Sequence, residues 1–328
     1  MYGGSETIID RLARGFDAAG HEVLLFTTGD STCPVRREFL LERAEGMRIG
    51  TVLPELRHVM HAYEAVRDYD IVHDHTLMGP AYSRQFPDQL VVTTNHGPFN
   101  IELLDVYRHV SPRVPIIAIS HDQASRAKDV PIAAVIHHGI DVEEFPVGTG
   151  AGGYFLFLGR MTPEKGPMVA IDVARVAGVK LKLAAKMREP WELAFFHDHV
   201  EPLLGDGIEY VGEVGGDEKL ALLGDAAALL NPIRWHEPFG LVMLEALACG
   251  TPVLSFAEGA APEIIDHGVT GFLCTDEQHM AEAIALTGRL DRVACRRAAE
   301  SRFSTDRMVA EHVALFERLL TRRGAPDA

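Results

Sequence analysis

Two glutamates, Glu237 and Glu245, stand in the stretch Asn231 to Glu263, NPIRWHEPFGLVMLEALACGTPVLSFAEGAAPE. Pro238 keeps Glu237 out of helical geometry. Gly240 opens an apolar-periodic run, Leu241, Leu244, Leu247 and Ala248, which Gly250 closes. The amides of Phe239, Gly240 and Leu241 therefore fall at a helix N-terminus without intrahelical acceptors, a place that attracts phosphate. Glu245 lies about 1.5 turns into that helix. Two carboxylates beside a phosphate-attracting helix start can read the hydroxyl groups of a nucleotide sugar. A surface acidic pair beside an ordinary cap is the plain alternative for any two glutamates.

Further candidates come from the loops after apolar runs. Arg160 and Lys165 flank the turn Arg160-Met-Thr-Pro-Glu-Lys165-Gly166, where two cations can neutralise a diphosphate, Arg as a fork and Lys as a point charge. The run Leu90 to Thr94, LVVTT, delivers Asn95-His96-Gly97, and a His after a parallel strand's carboxyl end sits where open α/β sheets bind ligands. A turn-capping structural His reads equally well there. His73-Asp74-His75 has a metal-ligand spacing but no further ligand cluster in the sequence, so no metal is predicted. Gly3-Gly4 can let a phosphate approach the backbone, although a tight turn is the simpler reading.

The elements that must position these residues alternate. Glu22 to Thr27, Tyr69 to His73, Leu90 to Thr94, Ile116 to Ser120 and Ala133 to His137 read as strands. So do Tyr154 to Gly159, Val179 to Ala185, Glu209 to Val211, Ala226 to Asn231, Pro252 to Phe256 and Gly271 to Cys274. Helical segments fall between them, which predicts an α/β chain with two doubly wound, parallel-sheet, Rossmann-like domains. Ser5 is expected to cap a first helix running to about Ala19. The Gly-rich stretch 139–153 is expected as the linker. The domains are placed at 1–145 and 146–305, with a last helix over 306–328.

At 328 residues, 47% hydrophobic and 24% charged, the composition is that of a globular chain large enough for two domains. A net charge of −16, shared by both halves, argues against nucleic acid as a partner. No apolar run approaches a transmembrane length, while peripheral membrane contact stays open. Cys33, Cys249, Cys274 and Cys295 lack metal or redox spacing and suit reduced, buried thiols of a cytoplasmic protein.

The wording EPFGLVMLEALACGTPV followed by EGAAPEII resembles the E-x7-E signature of retaining glycosyltransferases of the GT-B fold, family 4 (glycosyl transferases group 1). YGGSE, GHEV and GDST near the start, IVHDH at 71–75, the T-x-H-G motif around His96, GID at 139–141 and the G-R-x-x-x-E-K-G motif from Gly159 are similar to the same family. His138 stands where the family usually has Asn, and is expected outside the donor shell.

The resemblance implies a hexosyltransferase that uses a nucleotide-diphosphate sugar, an unidentified acceptor, and neither metal nor cofactor. It gives His96 and Glu237 catalytic roles. Gly3, Gly4, Arg160, Lys165, Val214, Phe239, Gly240, Leu241 and Glu245 are the implied donor-binding residues, with Val214 at the base and Glu245 at the ribose. The donor is expected on the second domain, in a cleft that closes over acceptor held by the first. A nucleotide-sugar epimerase of the same fold, or a binding-only protein, are the alternatives. A doubly wound domain also carries a central first strand, and only Met1 and Tyr2 precede Gly3. The first domain is therefore expected to lack that strand, leaving Glu22–Thr27 and Leu90–Thr94, or their neighbours, short of ladder partners.

Overall fold

The computed structural model describes residues 4–44 and 51–324. The chain divides into two compact units, one of residues 1–139 with 305–328 and one of residues 140–304.

The first unit opens with α1 (Gly4–Ala18), β1 (Leu24–Thr27) and β2 (Arg36–Phe39). After α2 (Val52–Ala65) come β3 (Ile71–Asp74), α3 (Gly79–Tyr82), β4 (Leu90–Thr94), α4 (Ile101–Val110), β5 (Ile116–Ala118), α5 (His121–Ser125) and β6 (Ile132–Val135). Ser5 lies inside the first turn of α1 rather than capping it, since the helix begins at Gly4. The five residues of β4 are all buried, as expected of a central strand in a parallel sheet. The apolar alternation fails to mark β2, RREF, because it is mostly exposed.

These strands form two separate parallel sheets, β1-β2 and β3-β4-β5-β6. β4 is paired on both sides, so the expected shortage does not fall there. It falls on β1 and β3, each with a ladder partner on one side only among the described residues. Both line one cavity of about 840 Å³, through Leu24, Leu25 and Phe26 on one side and Ile71, Val72 and His73 on the other. Ile9, Leu12 and Phe16 of α1, Val59 of α2, and Val313 and Phe316 complete its wall.

The second unit holds β7 (Phe155–Arg160), α6 (Pro167–Ala177), β8 (Leu181–Lys186), α7 (Pro190–Phe195), β9 (Ile208–Gly212), α8 (Gly216–Asp225) and β10 (Leu229–Asn231). It continues with α9 (Leu241–Ala248), β11 (Val253–Phe256), α10 (Ala261–Ile264), β12 (Gly271–Cys274), α11 (Glu277–Ile284) and α12 (Arg292–Arg302). Its six strands are ordered β12-β11-β10-β7-β8-β9, the doubly wound order with its switch between β7 and β10. Phe157, Ile171, Leu183, Leu230 and Phe256 share one buried core here. The four cysteines are free and buried, and burial pushes the thiols of Cys274 and Cys295 up to about 12.

The Gly-rich stretch after Gly139 is packed on this second unit rather than loose. Ile140 N–H donates to Phe303 O, and Gly148 N–H to Cys249 O. Arg292 donates to the carbonyls of Gly148, Gly224 and Ala226 at 2.9, 2.8 and 3.1 Å. The last helix, α13 (Thr305–Gly324), packs on α1 in the first unit. Phe16 and Phe316 meet there at 5.7 Å between ring centroids. No described helix is long and apolar enough to cross a membrane.

The open edges carry a testable consequence. Amides on the unpaired sides of β1 and β3 have no ladder acceptor among the described residues, so they should exchange with solvent deuterons orders of magnitude faster than those of β7 and β8, which are paired along their length. Equal protection in both sets, measured by hydrogen exchange with fragment resolution, would show that the cavity is closed in solution.

Candidate active site

In the second unit, the strand ends at the switch point deliver the charged side chains. Arg160 is the last residue of β7. A single 3-10 turn, Pro163–Lys165, follows and presents Lys165. Gly166 ends that turn at φ +77°, with the Pro232 carbonyl so close that a Cβ would collide with it. From the end of β10, the loop through Trp235 brings Glu237 to Lys165, Nζ to Oε2 at 2.6 Å. The indole of Trp235 lies 5.5 Å from the same Nζ. The backbone of Glu237 is fixed too, by Ala260 N–H donating to its carbonyl and by Gly259, φ +56°, packed against it.

Gly240 caps α9 in the left-handed region, φ +95°, where a side chain would be strained. Leu241 is the first helical residue, so its amide has no acceptor within the helix. Phe239 is 2% exposed and stacks edge-on with Phe303. Its side chain belongs to the core, and only its backbone can serve a ligand. Glu245, in the second turn of α9, accepts from Lys219 Nζ at 2.8 Å. Val214 lies half-buried in the loop between β9 and α8, flanked by Gly212 at φ +90° and Gly216 at φ +52°. The structure therefore gathers Arg160, Lys165, Glu237 and the α9 start at the carboxyl edge of one sheet.

Two partners in this unit were not singled out by sequence reasoning. Lys219 sits on a helix with no local motif. Glu192, 1% exposed, accepts Arg160 Nε and Nη2 at 2.8 and 2.5 Å. The one signal for Glu192 is its place three residues after Glu189 at a helix start, a capping box.

In the first unit, His96 follows β4 and is the middle ring of a histidine chain. Its Nε2 is 2.9 Å from His75 Nδ1, and its Nδ1 is 3.4 Å from His138 Nε2. His138, expected outside the donor shell, thus lies against His96 in the first unit. His73 bonds Thr94 Oγ1 at 2.8 Å, and its ring centroid is 5.1 Å from that of His312 on α13. Desolvation, reinforced by neighbouring imidazoles, holds His73, His75 and His138 well below the ordinary histidine range. The same cause brings His96 and His312 down to about 4. Neutral rings can each donate once and accept once, which suits a chain and not a cluster of cations. Gly4 is the exposed first residue of α1. Gly3 lies outside the described residues.

Residues 149–301 match the family described as Glycosyl transferases group 1, and residues 2–144 match Glycosyltransferase Family 4. A D-inositol 3-phosphate glycosyltransferase of Mycobacterium avium is 32% identical over 220 residues, covering 61% of this chain and 48% of that protein. The chain spans about half the length of the curated relatives it matches. The solved structure of AviGT4, a glycosyltransferase involved in avilamycin A biosynthesis, aligns at TM-score 0.71 and 25% identity, over 99% of this chain and 91% of that one. Sucrose-phosphate synthase from Thermosynechococcus elongatus aligns at TM-score 0.78 and 21% identity, over 98% and 94%. The two parallel-sheet units are those of the GT-B fold.

The buried histidines make the first unit acid-sensitive. Each binds a proton more readily unfolded than folded, so its stabilising contribution is present above the unfolded value near 6.5 and is lost as pH falls toward the folded value. For His96, falling from 6.5 to about 4, this amounts to ~3 kcal/mol. Arg307, which lowers His312 further, adds to the repulsion. Both tryptophans, Trp191 and Trp235, lie in the second unit. Between pH 6.5 and 4, histidine ring resonances of the first unit should show its loss before tryptophan fluorescence changes. Simultaneous loss by both probes would contradict this assignment.

Proposed function

We propose that this chain, which belongs to the group 1, family 4 glycosyltransferases, is a retaining hexosyltransferase. It draws on a nucleotide-diphosphate sugar, serves an acceptor still to be identified, and works without a metal. One observation carries the reading: Arg160, Lys165, Glu237 and the start of α9 converge at the switch point of the second unit's sheet, where doubly wound folds bind nucleotides.

Departure of the nucleotide leaves negative charge on the diphosphate. Arg160, Lys165 and the α9 amides are fixed donors that stabilise this charge as it develops. Two such cations can do the work of a divalent ion. Without donor, Lys165 is neutralised by Glu237. Donor binding replaces that carboxylate with phosphate oxygens and frees Glu237 to hold sugar hydroxyls. Glu245, oriented by Lys219, takes the ribose, and the Val214 loop takes the base. The side chains at this site offer carboxylates already committed to cations, and none stands out as a covalent nucleophile. Retention then follows from attack on the face that the nucleotide leaves, with the phosphate helping to deprotonate the acceptor. His96, in the first unit, is a neutral imidazole able to exchange one imidazole partner for a hydroxyl.

A thermal-shift panel of UDP-, GDP- and ADP-sugars should single out one base, since a ligand at 100 times its dissociation constant stabilises by ~2.7 kcal/mol. Arg160→Ala and Lys165→Ala should each cut donor affinity by about 10- to 100-fold, charge-assisted contacts being worth roughly 1.5–3 kcal/mol. Glu237→Gln keeps a hydrogen bond to Lys165 but loses charge beside the sugar, so kcat should fall more than affinity. Glu245→Ala should act mainly on affinity. Product that accumulates without acceptor as a free epimerised donor would replace transfer with isomerisation, and wild-type transfer by either cation mutant would remove that residue from the donor site.

A further inference from the structure

Glu192 is a buried carboxylate with a donor at every side. Oε2 accepts the backbone N–H groups of Arg188 and Glu189 at 2.7 and 3.0 Å, and Oε1 accepts Arg160 Nε and Nη2. The Glu189 amide bond is half of the capping box that starts α7. The carboxylate therefore cannot turn away from Arg160 without undoing that first turn. Burial opposes its ionisation, but the two amides and the guanidinium outweigh burial and hold its pKa below the ordinary range.

The pair is lopsided. Glu192 is 1% exposed, whereas Arg160 is 45% exposed. The carboxylate holds the Nε and Nη2 edge, and the Nη1 end of the fork is directed elsewhere. Trp191, next to Glu192 and itself half exposed, places its ring 5.9 Å from the guanidinium carbon. A flexible arginine in solvent pays rotamer entropy for each ligand contact, and one held by a buried anchor has already lost that freedom.

We propose that Glu192 is the positioning residue for Arg160, gripping one edge of the guanidinium so that its other edge meets the donor diphosphate already oriented. This rests on the donor reading above and adds to it a residue that touches no substrate. Glu192→Gln keeps the size of the side chain but presents an amide N–H either to Arg160 or to the α7 amides, so one of the two grips fails.

The test is a double-mutant cycle read by calorimetry. It uses the nucleoside diphosphate whose sugar stabilises the wild type, with the free nucleoside as control. Arg160→Ala and Glu192→Gln should each weaken the diphosphate by ~10-fold and leave the nucleoside unchanged. The double variant should bind within about twofold of Arg160→Ala, because Glu192 acts only through Arg160. Arg160→Lys leaves Glu192 intact and keeps the charge, but cannot be gripped by one edge while offering another. It should also weaken the diphosphate by ~10-fold, and it covers the case in which Glu192→Gln does not fold. Wild-type affinity in Glu192→Gln or in Arg160→Lys, or losses that multiply in the double variant, overturns the inference while the donor reading stands. Failure of the wild type to bind any nucleoside diphosphate removes both.

Discussion

The pairing of β7 with β10 is the constraint on which the site depends. Leu156 of β7 registers with Leu229 of β10, and β8 lies on the other side of β7. Chain order jumps there, so two strand ends separate and their loops diverge over an open edge. Lys165 and Glu237 are 72 residues apart in sequence and 2.6 Å apart in space because of that single neighbour relation. The helix that starts at Gly240 has its N-terminus at the same edge, since it is the crossover from β10 to β11. Positive partial charge from its amides and two cationic side chains are thus delivered together by topology.

Left alone, such a concentration of positive charge would repel itself. The second unit answers with a carboxylate for each cation: Glu237 for Lys165, Glu245 for Lys219 and Glu192 for Arg160. The three pairs are not equivalent. Glu237 and Glu245 are partly exposed and tied to one ammonium each, so an anionic ligand can compete for the lysine at modest cost. Glu192 is enclosed and hydrogen-bonded on both oxygens, so breaking it would strand a buried charge. Exchangeable pairs and a fixed pair in one site divide the labour between yielding to a ligand and orienting toward it.

Much of this was legible in the sequence because parallel strands in α/β units are short apolar runs ending at loops. β4 and β12 fall where LVVTT and GFLC place them, and Lys165 and Glu237 meet beyond the strand ends. Motif reading found the residues that face outward from the strand ends. It missed their partners: Lys219 has no local mark, and the capping box that marks Glu192 announces a helix start, not a carboxylate that will also hold an arginine 32 residues away. His138, expected outside the donor shell, lies in the first unit, where its ring reaches His96 through the side-by-side placement of β4, β5 and β6. The Gly-rich run after 139 looked like a linker from composition, and two arginines distant in sequence hold it, Arg292 at the Gly148 carbonyl and Arg296 at that of Phe145.

The two units differ in how their interiors are satisfied. The second has a six-stranded sheet, a large apolar cluster, and loops held by an arginine that donates to several carbonyls. The first has a sheet in two parts, a cavity between the open edges of β1 and β3, and smaller separate apolar clusters. It also keeps five imidazoles in low-dielectric surroundings, where every lost hydrogen bond is expensive. Packing, ladder pairing and protonation all point the same way, to lower local stability in the first unit. A donor site needs fixed donors to stabilise developing charge, and the proposed one sits in the unit with the larger continuous sheet. Conformational adaptability, where the chain has any to spare, is concentrated in the unit that holds the histidine chain.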